Sequence, residues 1–217
     1  MGPYATALSK GDQLPARERQ SIVNRLAEFT GLSKRYIEHA NIRIQIHSFC
    51  KELLRDEGRT VGRLDSRFKG IDPKLTAEYP EFDPSMTMIG PPYTAMMNDY
   101  VSRQLGYKTD APYAIFSPFI EAWEWGSAAE GMPDVSESLR KAFARNPHMK
   151  LFIASGYFDL ATPYFATKHT VAHMGLDAEV RGNISTGEYE AGHMMYIHTE
   201  SLRKLKSEVT AFIRGAL

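Results

Sequence analysis

Two residues near the end of the chain combine the types, order and spacing that acid–base catalysis needs. Asp159 follows the run Leu151-Phe-Ile-Ala-Ser-Gly-Tyr-Phe158 and precedes Leu160-Ala-Thr-Pro163. His193 follows Glu188-Tyr-Glu-Ala-Gly192 and precedes Met194-Met-Tyr-Ile-His198. A carboxylate held behind an imidazole accepts its ring N–H, fixes the tautomer and stabilises the imidazolium that forms when the ring takes a proton. A Ser…Asp…His triad in that chain order needs one further part, a serine on a Gly-x-Ser-x-Gly turn ahead of the acid. No such pattern occurs between Met1 and Asp159. The chain thus carries an acid and a base without a recognisable nucleophile.

Taken singly, each residue has a plainer reading. Asp is common in loops and caps, and a turn histidine is often just hydrogen bonded. What favours chemistry is the repeated context, an apolar strand-like run before each residue and a helical segment after it. An acid placed just beyond a buried strand sits at the sheet edge where open α/β sheets hold their sites. Gly192 suits the tight turn that lets the His193 ring reach over that edge.

Other groups read more mildly. His169 and His173 are four apart on a helical segment, a spacing that suits a shared metal, but they lack the Glu of the His-Glu-x-x-His pattern. Cys50 falls on an apolar helix face and reads as a small buried hydrophobe. Trp123 and Trp125, with Tyr113, Phe116 and Phe119, suit a peptide cleft and core or lid packing equally well. Arg55, Arg59, Arg63, Arg67 and Lys69 form a basic stretch interrupted by acids, which reads as a solvated surface. Glu190 is a second carboxylate close to the base in sequence.

The elements that must position the pair alternate in the α/β manner. Asp134-Val-Ser-Glu137 is a capping box that opens a helix bearing Val135, Leu139 and Phe143 on one face, and Asn146-Pro147 stops it. Leu151–Ser155 suits a buried parallel strand. Thr162-Pro163 reads as an N-cap with Pro at the first helical position, launching a helix to about His173, with Gly175 beyond. A strand is expected over Ile184–Tyr189. A final helix carries Leu202, Leu205, Val209, Phe212 and Ile213 on one stripe.

The first half reads as helices joined by polar turns. Pro15 opens a helix with Ile22, Val23, Leu26 and Phe29 at helical spacing, closed by Gly31. A short helix follows over Ser33–Ala40. Asn41 then reads as the N-cap of a helix with Ile42, Ile46, Phe49 and Leu53 on one face, ending at Gly58, although Arg43–His47 also alternates like a strand. From Gly58 to Pro92 the richness in Gly, Pro and Asp predicts a long ordered loop. Tyr93–Leu105 reads as a helix closed by Gly106. Residues 110–131 carry no assignable pattern.

Composition bounds the function classes. The 26 Lys and Arg balance 26 Asp and Glu over 217 residues, so no global charge favours nucleic acid or an anionic membrane. No apolar run approaches the roughly 20 residues of a membrane helix. The first ten residues lack the basic and apolar stretches of a signal peptide. The single Cys50 excludes an internal disulfide and leaves the compartment undetermined.

With these residues in view, a family resemblance follows. Gly156-Tyr-Phe-Asp159-Leu-Ala-Thr-Pro163 and Ala191-Gly-His193-Met194, preceded by Tyr189-Glu190, resemble the C-terminal part of serine carboxypeptidases, the S10 peptidase family, in their bacterial form. Glu57-Gly-Arg-Thr-Val-Gly-Arg-Leu-Asp65-Ser-Arg-Phe-Lys-Gly70 and Glu78-Tyr-Pro-Glu-Phe-Asp-Pro84 resemble the family's lid-forming middle. The family's nucleophile turn, Gly-Glu-Ser-Tyr-Gly, and its oxyanion segment have no counterpart here. Tyr196 stands where many members have Pro.

The resemblance implies an α/β fold: the C-terminal part of an α/β-hydrolase sheet, preceded by a mainly helical lid. Residues 1–131 would form the lid region and 132–217 the core segment carrying acid and base. It implies a peptide substrate, catalytic roles for Asp159 and His193, and no metal or organic cofactor. Carboxypeptidase activity would need the missing N-terminal half, and the chain alone is expected to be inactive and to self-associate. The alternative is a non-catalytic binding or assembly domain derived from the same fold.

Overall fold

The computed structural model describes residues 2–111, 124 and 134–216. The chain is mixed α/β and forms two compact units, Met1–Ser85 and Met86–Leu217.

The first unit is mostly helical. Helix α1 (Pro3–Lys10) begins on a proline, whose fixed φ and missing N–H suit a first turn. Helix α2 (Ala16–Thr30) starts after Pro15 and ends at Gly31, whose φ of 74° is the left-handed conformation that glycine adopts without a Cβ penalty. Helix α3 (Lys34–His39) is capped by Ser33, whose hydroxyl accepts the Tyr36 amide. Ala7, Leu14, Ile22, Val23, Leu32, Ile37 and Ile42 form the core of this unit.

Asn41 is not the N-cap predicted for it. Asn41 and Ile42 both have positive φ, 49° and 56°, and the Ile42 amide donates back to the Ile37 carbonyl at 2.9 Å. They close α3 in a left-handed turn, which Asn tolerates and a β-branched residue resists. Burial of Ile42 and the hydrogen bond from the Tyr4 hydroxyl to its carbonyl hold it there. The next helix, α4, therefore spans only Ile46–Glu52.

The predicted long loop after Gly58 is also corrected. Strands β1 (Arg59–Val61) and β2 (Lys69–Ile71) pair antiparallel within it. Three residues are too few for an alternation to stand out in sequence. Behind this ribbon Lys51 and Asp72 form an ion pair with both side chains fully enclosed. Lys51 also donates to the Lys74 carbonyl at 2.6 Å, the extra bond that lets a buried ammonium survive desolvation. Cys50 is buried, and burial first, then the nearby Asp83, pushes its thiol up to about 11. It packs as the small hydrophobe expected and is a poor nucleophile. Two members of the basic stretch are committed within this unit. Arg67 grips Asp65 through two nitrogens, and Arg55 pairs with Glu52.

Helix α5 (Pro84–Asp99) starts two residues before the second unit, inside the stretch expected to be a loop as far as Pro92; it contains Pro91 and Pro92 and runs on as a π-turn over Tyr100–Gln104. Helix α6 (Ser136–Arg145) is preceded by Asp134, whose carboxylate accepts the Ser136 amide at 2.9 Å. Glu137 does not complete the expected reciprocal box; it pairs with Lys141 at 2.9 Å instead. Strand β3 (Leu151–Gly156) and strand β4 (Ile184–Tyr189) lie parallel in the register Leu151↔Ile184 to Gly156↔Tyr189. Between them run α7 (Tyr164–His173) and the short α8 (Ala178–Arg181), the crossover a parallel pair requires. Helix α9 (Thr199–Ala216) follows β4. Phe143, Met174, Leu176 and Val180 pack in one cluster, and Tyr189, Ala191 and Met195 in another, with Ala154 and Leu205 against it. The stripes are only partly covered: Val135, Leu202 and Ile213 remain exposed.

Among the described residues no helix is long and apolar enough to cross a membrane. The aromatic group Tyr113, Phe116, Phe119, Trp123 and Trp125 lies outside the described residues.

Candidate active site

Parallel pairing fixes the site, because it carries both strands to the same edge before the chain leaves them. The ladder continues past the strands. The Tyr157 amide donates to the Tyr189 carbonyl at 2.9 Å, and the Phe158 amide to the Ala191 carbonyl at 3.0 Å. The two loops are thereby tied together one residue before Asp159 and two before His193. The base of the second loop is anchored from beneath, where the buried Tyr189 hydroxyl donates to Glu208 of α9 at 2.6 Å. Burial first, and that carboxylate second, raise the tyrosine pKa, so the hydroxyl stays a donor.

The sequence-predicted residues meet. His193 Nδ1 lies 2.7 Å from Asp159 Oδ2. The Asp159 side chain is only 4 % exposed, whereas that of His193 is 44 % exposed. One end of the dyad is thus buried and the other open. Asp159 Oδ1 accepts the amides of Ala161 at 2.8 Å and Thr162 at 2.9 Å. Oδ2 accepts the Thr162 hydroxyl at 2.6 Å besides the imidazole. Burial pushes the Asp159 carboxyl up, but the Thr162 hydroxyl and amide and then His193 outweigh it, and the group sits below the ordinary carboxylate range.

Those bonds decide the tautomer. A carboxylate offers no proton, so Nδ1 must carry the hydrogen of the 2.7 Å contact. In the neutral ring the lone pair then falls on Nε2, and among the described residues nothing hydrogen bonds that nitrogen. An outward lone pair backed by a buried anion is the equipment of a general base.

Thr162 was legible only as a helix cap, and that reading is corrected. Helix α7 begins after Pro163, and the Thr162 hydroxyl turns toward the dyad, 3.2 Å from His193 Nδ1. The Asp–x–x–Thr spacing was the available signal, since an Asp side chain commonly accepts from residues two or three ahead.

His169 and His173 stack on α7 with ring centroids 3.9 Å apart, and His173 Nδ1 is bonded to the His169 carbonyl. Among the described residues no third metal-ligating side chain joins them. Glu190 is exposed, and Tyr196 is half-exposed just beyond the base. His198, which the sequence did not single out, touches Ser201 Oγ at 2.8 Å and Glu200 at 2.9 Å. That set imitates a triad, but Ser201 is buried in the first turn of α9. The contacts there close a helix terminus.

The low carboxyl pKa has a consequence for stability. The unfolded chain binds a proton on Asp159 at a higher pH than the folded one, so this group's contribution is full above pH about 4 and is lost as the pH falls through the folded value. Urea titrations between pH 6 and 2 should show the advantage of the natural chain over Asp159→Asn shrinking toward acid. An advantage that stays constant across that range would mean that Asp159 titrates as an ordinary carboxyl.

No protein-family model matches the chain, and neither a curated protein nor a solved structure is found similar to it.

Proposed function

We propose that Asp159 and His193 are the acid and base of a serine-type carboxypeptidase of α/β-hydrolase architecture, with β3 and β4 as part of its sheet. The observation that carries this reading is the 2.7 Å Nδ1–Oδ2 contact at the carboxyl edge of two adjacent parallel strands. In the reaction, Nε2 of His193 takes the proton of a serine hydroxyl as its oxygen attacks the C-terminal peptide bond. Asp159 holds the ring and offsets the imidazolium charge. His193 then returns the proton to the departing amino acid, and water repeats the cycle on the acyl-enzyme. The serine and the oxyanion donors come from polypeptide that these 217 residues do not include. The peptide substrate binds at the open side of His193. Without that polypeptide the exposed Val135, Leu202 and Ile213 favour self-association of the chain.

Joint expression with a segment bearing the Gly-Glu-Ser-Tyr-Gly turn tests the proposal. The assembled protein should react with a serine-directed phosphonate, and His193→Ala should abolish that labelling. Assembly without labelling would favour the binding-domain alternative.

A further inference from the structure

We propose that Thr162 is the positioning residue of the dyad: its hydroxyl, set between Asp159 Oδ2 and His193 Nδ1, fixes both the carboxylate rotamer and the imidazole tautomer. The inference rests on the acid–base reading for its catalytic consequence and on geometry alone for its structural one.

The hydrogen-bond count leaves little freedom. The hydroxyl has one proton, and the carboxylate at 2.6 Å can only accept, so Thr162 donates to Oδ2. Its oxygen lone pairs then face His193 Nδ1 at 3.2 Å. Nδ1 consequently looks at two acceptors, Oδ2 and Oγ1. A protonated Nδ1 satisfies both, whereas a bare Nδ1 would set a third lone pair against them. Thr162 so adds to the carboxylate's own preference for the tautomer that leaves Nε2 free.

The same residue also holds the carboxylate. Its amide binds Oδ1 at 2.9 Å while its hydroxyl binds Oδ2, so one residue grips both oxygens of Asp159. Rotation of the carboxylate breaks at least one of these bonds. Two local features stiffen the grip. The proline that follows disfavours helical backbone at Thr162 and keeps it out of α7. Its β-branch restricts χ1, so the hydroxyl is presented without a large rotamer cost.

Two substitutions separate positioning from packing. Thr162→Val keeps the shape and removes the hydroxyl; Thr162→Ser keeps the hydroxyl. Carboxyl carbon shifts report Asp159 ionisation, and ring nitrogen shifts report the His193 tautomer, both in the chain as it stands. In Thr162→Val the Asp159 acid dissociation constant should fall by about tenfold, the worth of one hydrogen bond to a charged group. The Nδ1–H tautomer should lose population, and Thr162→Ser should restore both. Should the valine variant not fold, Thr162→Ala carries the same expectation. A residue that merely packs would alter the melting temperature and leave the Asp159 titration and the His193 tautomer unmoved. An unmoved Asp159 titration and an unmoved His193 tautomer in a folded Thr162→Val or Thr162→Ala variant overturn the proposal. None of these readings needs turnover, so a failure of the carboxypeptidase assignment would appear separately, as absent labelling with the Asp159 and His193 effects intact.

Discussion

Offered an N-blocked peptide, the 217-residue chain alone should release no C-terminal amino acid above the uncatalysed background, and His193→Ala should leave that background unchanged. The reason is chemical. A base lowers a barrier by taking a proton from something that attacks, and among the described residues no group is hydrogen bonded to Nε2 to be deprotonated. If the chain assembles into the proposed carboxypeptidase, the same substitution should lower its kcat by about 10⁴-fold to 10⁶-fold, the range seen when a member of a cooperating triad is removed. Asp159→Asn should cost less, about 10⁴-fold, because the ring loses its tautomer and its counter-charge but keeps its place near the substrate. Amino-acid release measured by mass spectrometry checks all of these. Brisk turnover by the isolated chain, lost in His193→Ala, would mean that a nucleophile lies within these residues and that the missing-half account is wrong.

How much of this was legible in sequence depended on the length scale of the signal. Strands β3 and β4 were readable because each is a six-residue stretch bounded by clear turn chemistry, and β4 spans Ile184–Tyr189 as expected. The dyad followed, since two such strands laid parallel bring the residues after them to one edge. Strands β1 and β2 were not readable, because three-residue strands carry no period. Asn41 misled because the same short polar side chain suits a helix start and a left-handed helix end, and only the Ile42 to Ile37 bond decides between them. Thr162 misled in the same way. Thr before Pro before a helix matches a cap by type, but its hydroxyl has a buried carboxylate within reach and goes there instead. The hydroxyl proton goes to that charged acceptor, and this bond rather than a helix amide sets the direction of the side chain.

Gly156→Ala should do more damage to the site than its single methyl group suggests. A Cβ at this position would stand 2.2 Å from the Gly192 carbonyl oxygen and 2.3 Å from that of Ala191. Both are backbone atoms of the loop that carries His193, so no side-chain rotation relieves the clash. The loop cannot simply retreat either. Ala191 is fully buried and packs with Tyr189 and Met195, and the Phe158 to Ala191 hydrogen bond ties the loop to the strand end. Relief must come from parting the two loops, which draws Asp159 and His193 beyond hydrogen-bond reach. The expected loss of stability is about 3 kcal/mol, at the upper end for overpacking because the obstacle is main chain. The His193 ring nitrogen shifts should also move toward those of a free imidazole. Gly182→Ala is the matched control. Nothing lies within 4 Å of a Cβ there and its φ is −68°, so the change should be neutral or slightly stabilising. Urea unfolding of both variants beside the ring nitrogen spectrum decides the matter. A Gly156→Ala chain as stable as the natural one, with the Nδ1–H signature intact, would show that the loops yield independently and that the glycine is not what brings acid and base together.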